Sequence, residues 1–314
     1  MIGSIFRSIG ILILTLSITP ALSHIDTTKS REFVQKVLAG PWTVKRLPCS
    51  WNQEGSASAP FLAGEGRTMF FTFRSKGGAQ MIFMVTRHST QDTIWSDPVP
   101  LRAFNGDRNA GTLSVDSVGD IFYASSANTN IENDVNIWQA NPDSIKTNNR
   151  KLPEPVNTNA WDSQPFISYS GRTLLYVSTR GGVPTTQRMR TRIFATHSDS
   201  ASVWSPPISL GASVNEGRQT MCPFLSEDEQ ILLFASNLRR VSSAELFITY
   251  KNGNTDSSWA PPVALPDAIN TFQQMQCPFL SPSGEILYFI APRGPKGLGT
   301  SIYEARMPGA VWRR

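Results

Sequence analysis

The sequence predicts an all-β fold, a five-bladed β-propeller of four-stranded blades, closed by the N-terminal strand around Trp42. Three observations predict it. A segment of about 50 residues recurs five times along the chain. Each copy divides into four short runs separated by turn residues. A spare fourth-run pattern precedes the first copy, and the last copy lacks most of its own fourth run.

The first run of each copy opens on Pro60-Phe61-Leu62, Pro165-Phe166-Ile167, Pro223-Phe224-Leu225 or Pro278-Phe279-Leu280; the copy near residue 110 has no such Pro. A turn follows, marked by Gly66, Gly119, Gly171 and Gly284, with Glu229 at that point in the fourth copy. The second runs, 69–73, 121–124, 174–177, 231–235 and 286–290, are rich in aromatic and β-branched residues. The third runs hold Ile82-Phe83, Ile137-Trp138, Ile193-Phe194, Leu246-Phe247 and Ile302-Tyr303. The fourth runs open on Trp95, Trp204 and Trp259, each followed closely by Pro; the second copy offers only Arg150-Lys151-Leu152-Pro153. Pro is tolerated there because the fourth strand is the outer edge of a blade, where a missing N–H costs little.

Trp42 carries the same fourth-run pattern with no first three runs before it, and five periods of 54 residues separate it from Trp312. A ring in which residues near Trp42 complete the last blade leaves no loose edge. The domains expected are a signal peptide at 1–23, a short helical lead-in at 24–40, and a single propeller at 41–314. Its copies start near 57, 110, 162, 220 and 275, with 41–50 as the closing outer strand. Phe33, Val34, Val37 and Leu38 fall on one helical face of the lead-in, and Gly40-Pro41 stops it.

Residues 1–23 have the parts of a cleavable leader. Arg7 gives a positive start, 11–18 an apolar stretch too short to span a bilayer, and Ala21 and Ser23 the small residues for a cut before His24. No Cys follows for lipid attachment, so the chain is expected in the periplasm or secreted. Removing the segment lowers the formal net charge from +5 to +4. The bases are scattered, apart from Arg188, Arg190 and Arg192 and the pair Arg239-Arg240, which read as solvated loops first and as a patch for anionic glycan or lipid headgroups second. An exported chain meets no nucleic acid, so the partners expected are protein or glycan, bound by a monomer without cofactor. With three His and no calcium-loop spacing, no metal site is expected. Of three Cys, Cys222 and Cys277 occupy equivalent positions; a bond between them needs a Cα separation below about 7 Å. The reading preferred from sequence is two small buried thiols.

The run Pro278-Phe279-Leu280-Ser281-Pro282-Ser283-Gly284-Glu285-Ile286-Leu287-Tyr288-Phe289 resembles the WD40-like repeat of TolB-type periplasmic β-propellers. The stretch from Gln164 through Gly171 to Gly182 resembles it too. The resemblance spans roughly 55–312. It is strong in copies three to five, fair in the first and poor in the second. Ser170 and Ser283 stand where that family often has Asp before the turn Gly. The resemblance implies an exported binding or scaffold module with no shared catalytic residues. The N-terminal α/β domain of TolB has no counterpart in these residues, so no envelope role carries over.

Function in a repeat ring usually lives on the loops. The loops feeding the first strands are polar: Asn52-Gln53-Glu54, Asp107-Arg108-Asn109, Trp161-Asp162-Ser163-Gln164, Glu216-Gly217-Arg218-Gln219 and Gln273-Gln274-Met275-Gln276. The neighbouring second-to-third loops add Lys76, Arg180, Arg239 and Arg293. One expectation is a polar mouth for a glycan or peptide. There Trp161 stacks on a sugar, Gln164, Gln219, Gln274 and Gln276 bond hydroxyls, and Arg108 and Arg218 take an anion. The bland alternative is that these groups brace adjacent blades. A hydrolase would need two carboxyl groups about 5–5.5 Å or about 6.5–9.5 Å apart; its candidates are Glu54, Asp107, Asp162 and Glu216. By the strand bounds expected from sequence, Asp116 is the only acid inside a first strand, which counts against hydrolysis. No Gly-x-Ser-x-Gly motif supports a serine hydrolase.

Overall fold

The structure is a computed structural model; it describes residues 27–90, 92–104, 109–126, 134–140, 149–181, 190–199, 203–294 and 299–307. The expected leader and Trp312 lie outside them. Helix α1 (Thr28–Ala39) buries Phe33, Val34 and Val37 and leads into β1 (Thr43–Arg46). The first blade is β2 (Ser56–Ala63), β3 (Thr68–Arg74), β4 (Gln80–Thr86) and β5 (Val99–Pro100). The second is β6 (Ala110–Val115), β7 (Ile121–Ser125), β8 (Asn136–Ala140) and β9 (Arg150–Lys151). The third is β10 (Asp162–Ile167), β11 (Thr173–Ser178), β12 (Arg192–His197) and β13 (Ile208–Ser209), followed by the short α2 (Gly211–Asn215). The fourth is β14 (Thr220–Leu225), β15 (Ile231–Ser236), β16 (Glu245–Tyr250) and β17 (Val263–Ala264). The fifth is β18 (Gln276–Leu280), β19 (Ile286–Pro292) and β20 (Thr300–Arg306). Its fourth strand is β1, paired antiparallel from Thr43↔Arg306 to Arg46↔Tyr303. The five-bladed propeller expected from the five repeats, with its seam closed near Trp42, is what the five four-stranded sheets form.

The repeated Pro explains a bend shared by the inner strands. A Pro cannot donate to the sheet ladder, so it sits in a bulge. The register shifts between Ser58 and Phe61, Ser163 and Phe166, Met221 and Phe224, and Gln276 and Phe279. The second blade shifts between Gly111 and Ser114 without a Pro. In each bulge one non-glycine residue takes positive φ: Ala59, Thr112, Gln164, Cys222 and Cys277. These five ring the channel. Cys222 and Cys277, neighbours in that ring, are disulfide-bonded with Cα atoms 4.7 Å apart. The expectation of two separate thiols is therefore corrected: equivalent bulges in adjacent blades bring the sulfurs together near the axis. Cys49 stays free and half-buried, and burial pushes its thiol pKa up.

The outer strands are two residues long where Pro interrupts them, so the third strands would keep unpaired peptide groups. A buried Asn supplies the missing partners. Asn157 accepts from Ile137 N at 2.8 Å and donates to Ile137 O at 2.8 Å and Leu152 O at 2.7 Å. Asn52 does the same for Ile302, Asn215 for Ile193 and Asn270 for Leu246. Each Asn lies five residues after Leu47, Leu152, Leu210 or Leu265.

The fourth blade departs from Gly at its first turn, and contacts between blades account for it. Glu229 adopts φ 59 where the third and fifth blades use Gly171 and Gly284. Its carboxylate accepts from Ser170 Oγ at 3.1 Å and Thr173 Oγ1 at 2.8 Å, both in the third blade. His197 extends this latch: its Nδ1 is 3.2 Å from Thr173 Oγ1 and its Nε2 is 2.8 Å from Asp256 Oδ2. The hydrogen bond to Asp256 raises the His197 pKa, with burial opposing, and the reciprocal bond lowers that of Asp256. Glu229 and Lys251 are the other charges acting on the ring. The His197 contribution is complete below its ordinary 6.5 and disappears as pH rises through its raised folded value. The Asp256 contribution disappears as pH falls below its ordinary 3.8 toward its lowered folded value. The gap in melting temperature between wild type and His197→Gln should therefore be wider at pH 5.5 than at pH 9. A gap independent of pH would sink this account.

Candidate functional site

The channel is not open from end to end. Phe61, Phe166, Phe224 and Phe279 project from equivalent places on β2, β10, β14 and β18 and meet at the axis. Ring centroids lie 5.0 Å apart for Phe61–Phe279 and Phe224–Phe279, 5.3 Å for Phe166–Phe224 and 6.0 Å for Phe61–Phe166. The second blade has Ser114 at this level, whose Oγ accepts from Ile167 N at 3.0 Å. On the feeder-loop side of the Phe layer lies a space of about 40 Å³ that includes the bulge residues and the disulfide. On the other side the channel widens into a funnel of about 800 Å³.

The funnel is built by the ends of the first strands and their turns. Its floor is the four Phe rings, and its lower wall includes Leu62, Ile167, Leu225 and Leu280. The turns place Glu65, Asp116, Glu227 and Asp228 higher up. Asp116 also holds its own turn, accepting from Asp120 N at 2.8 Å and Val118 N at 3.0 Å, as Ser226 and Ser281 do in theirs. Burial pushes the Asp116 carboxyl up from its ordinary value. The first turn of α1 adds Lys29 and Ser30 to the wall. That helix starts with no side-chain cap and no acid in its first turn. The acidic wall supplies negative charge where the dipole favours it.

The residues expected from sequence sit on the opposite, feeder-loop side, and most are engaged in the scaffold. Contrary to expectation, a first strand does hold an acid: Asp162 opens β10, while Asp116 falls just past the end of β6. Asp162 is 0% exposed. Its Oδ1 takes Arg180 at 2.8 Å, and its Oδ2 takes Thr158 N at 2.7 Å and Thr158 Oγ1 at 2.8 Å. Arg239 grips the buried Glu245 through two bonds, at 2.7 and 3.0 Å. Arg293 donates to Gly55 O across the seam between the fifth and first blades. Trp161 packs half-buried against the main core. Gln164 accepts from Cys222 N at 2.8 Å, Gln219 N–H donates to Asn237 Oδ1 at 2.9 Å, and Gln274 donates to Ser242 O at 2.6 Å. Gln276 opens β18, paired with Ile290. Glu54, Lys76, Glu216 and Arg218 are exposed. Asp107, Arg108 and Arg188 fall outside the described residues. Sequence reasoning missed the funnel, whose residues lie inside the repeat itself, in and directly after the Pro-Phe-Leu run.

No protein-family model and no curated protein matches the sequence. Among solved structures, the chain is similar to TolB from Acinetobacter baumannii, with 15% identity over 82% of this chain and 55% of that one, at a TM-score of 0.49. The chain thus spans little more than half the length of that protein. It is similar to the catalytic domain of a GH62 α-L-arabinofuranosidase of Coprinopsis cinerea, with 8% identity over 86% of this chain and 97% of that one, at a TM-score of 0.57. It is similar also to Zg3597, a family 117 glycoside hydrolase of Zobellia galactanivorans, with 15% identity over 86% and 90%, at a TM-score of 0.52. At such identities the likeness shows the fold alone. No helix of the described residues is long and apolar enough to cross a membrane.

Proposed function

We propose that this chain is an exported, TolB-like propeller that acts as a monomeric binding module, recognising a protein or glycan partner at a mouth of its channel. The observation that carries this reading is the funnel of about 800 Å³ over a floor of four Phe rings. Ligand seats are commonly concave, largely apolar and of roughly 300–1,000 Å³. Export is supported by the leader-like residues 1–23 and by the Cys222–Cys277 bond, since disulfides persist in oxidising compartments.

The second reading is a glycan-active hydrolase on the same scaffold, favoured by the shared fold with two glycoside hydrolases. Its candidate acids are Glu54, Asp107, Asp162 and Glu216. Against it, both oxygens of Asp162 are occupied by protein donors and no part of the residue is exposed.

Arrays of peptides and of oligosaccharides, probed with the labelled chain and with Ser117→Trp, separate these readings. Ser117 is an exposed residue of the funnel rim, so a bulky side chain there narrows the mouth without entering the core. Binding lost in Ser117→Trp supports the module. Binding that survives it, or sugar release that depends on Glu216 or Asp162, overturns the funnel reading.

A further inference from the structure

We infer that the funnel takes a peptide segment in which an apolar side chain lies beside Lys or Arg. This rests on the funnel being the ligand seat. Three observations select the chemistry. The first is the floor. Four Phe rings and an aliphatic layer above them offer no polar side chain to a ligand's tip, so the deepest group must be apolar. The second is charge. The wall carries Glu65, Asp116, Glu227 and Asp228 against Lys29 alone, while the chain as a whole has a formal net charge of +5. A concave mouth with low-dielectric walls concentrates the field of its own charges, so the funnel draws cations although the whole protein does not. Among the described residues no group of three or more His, Cys, Asp and Glu side chains is placed to hold a metal ion. The chemistry therefore fits an organic cation.

The third observation is the lip. Val118 is 78% exposed and Tyr169 is 49% exposed, on adjoining turns joined by the bond from Ser117 N to Tyr169 O at 3.0 Å. An exposed valine and tyrosine beside the cavity extend the apolar surface beyond what a small amine covers. Tyr is among the residues that anchor partner chains. The lip lies on the second and third blades, while Glu65 and Asp228 lie on the first and fourth. A segment crossing the mouth would meet an acid on either side of its apolar anchor.

The test is fluorescence anisotropy with three labelled, end-blocked probes: Lys-Lys-Phe-Leu-Lys, the same peptide with Glu for each Lys, and the same with Ser for Phe and Leu. The first should bind the full chain. The other two should bind at least about tenfold more weakly. Glu65→Gln combined with Asp228→Asn should weaken the first probe by about tenfold at low salt, and the difference should shrink as salt rises. Equal binding of the Glu probe, or no effect of the double variant, overturns the cationic class; if Ser117→Trp still abolishes that binding, the funnel stands as a ligand seat. Undiminished binding to Ser117→Trp overturns the funnel itself. Complete displacement of the first probe by spermine at the probe's own concentration overturns the peptide in favour of a small amine.

Discussion

Arg180→Ala is expected to destabilise the protein by about 3–5 kcal/mol, because it leaves a buried carboxylate without its cation. Arg180 reaches Asp162 at 2.8 Å, Pro155 O at 2.9 Å and Ser178 Oγ at 3.0 Å, and also donates to Val156 O. Its guanidinium lies 5.1 Å from the Tyr176 ring centre and 5.3 Å from that of Phe194. One side chain thus ties the feeder loop of the third blade to its second and third strands. The decisive comparison is with Arg180→Ala combined with Asp162→Asn. The amide oxygen still accepts from Thr158, and no charge remains to be buried, so the double variant should recover part of the loss. Urea unfolding of both variants measures this. A single variant costing less than about 1 kcal/mol, or a double variant no better than the single, would refute the buried-charge account.

The second large effect belongs to the disulfide. Cys222 and Cys277 close a loop of 55 residues between two adjacent blades. Removing that restraint from the unfolded chain is worth up to about 4 kcal/mol on chain entropy. Cys222→Ser with Cys277→Ser, or reduction of the wild type, should lower the urea midpoint by an equivalent of about 2–4 kcal/mol. Thiol titration of the unfolded, unreduced chain should count the single thiol of Cys49. Three titratable thiols before reduction would mean that the bond is absent. Identical unfolding of the oxidised and reduced chains would mean that it carries no stability.

The propeller was legible because its signals are periodic. Pro-Phe-Leu, the turn Gly and the outer Trp each recur at matching places, and Trp42 revealed the seam. The second copy was faint for a reason visible at the axis. Ser114 replaces the ring Phe and bonds to Ile167 N instead of packing, so neither the Phe nor its Pro is required there. The funnel proposed as the ligand seat was not legible. Asp162, Arg180, Gln164 and Arg239 are polar residues that look like a binding mouth in one dimension, yet their partners are scaffold groups, from 2 residues away for Ser178 to 58 for Cys222. Conversely, Phe61 and Leu62 read as core, although part of their surface faces the funnel. The Leu-x4-Asn pattern was visible in principle. It keeps step with the Pro-Phe-Leu signal, each Asn standing 8 residues before Pro60, Pro165, Pro223 or Pro278. Bulges at Ala59 and Thr112 left no mark, because nothing in a non-glycine residue announces positive φ.

The seam has a consequence for the order of assembly. β1 and β20 pair residues as distant as Thr43 and Arg306, whereas the other pairings join neighbours along the chain. A polypeptide made from its N-terminus therefore produces the strand that locks the ring first and can use it last. Until β20 exists, Thr43–Arg46 has no partner edge. Until β1 docks, β20 presents an open edge of its own. Closure of so distant a contact must wait on the intervening four blades. The slowest step in reaching the native ring should be this final zipping, and the interval before it is when two unfinished molecules could exchange their locking strands.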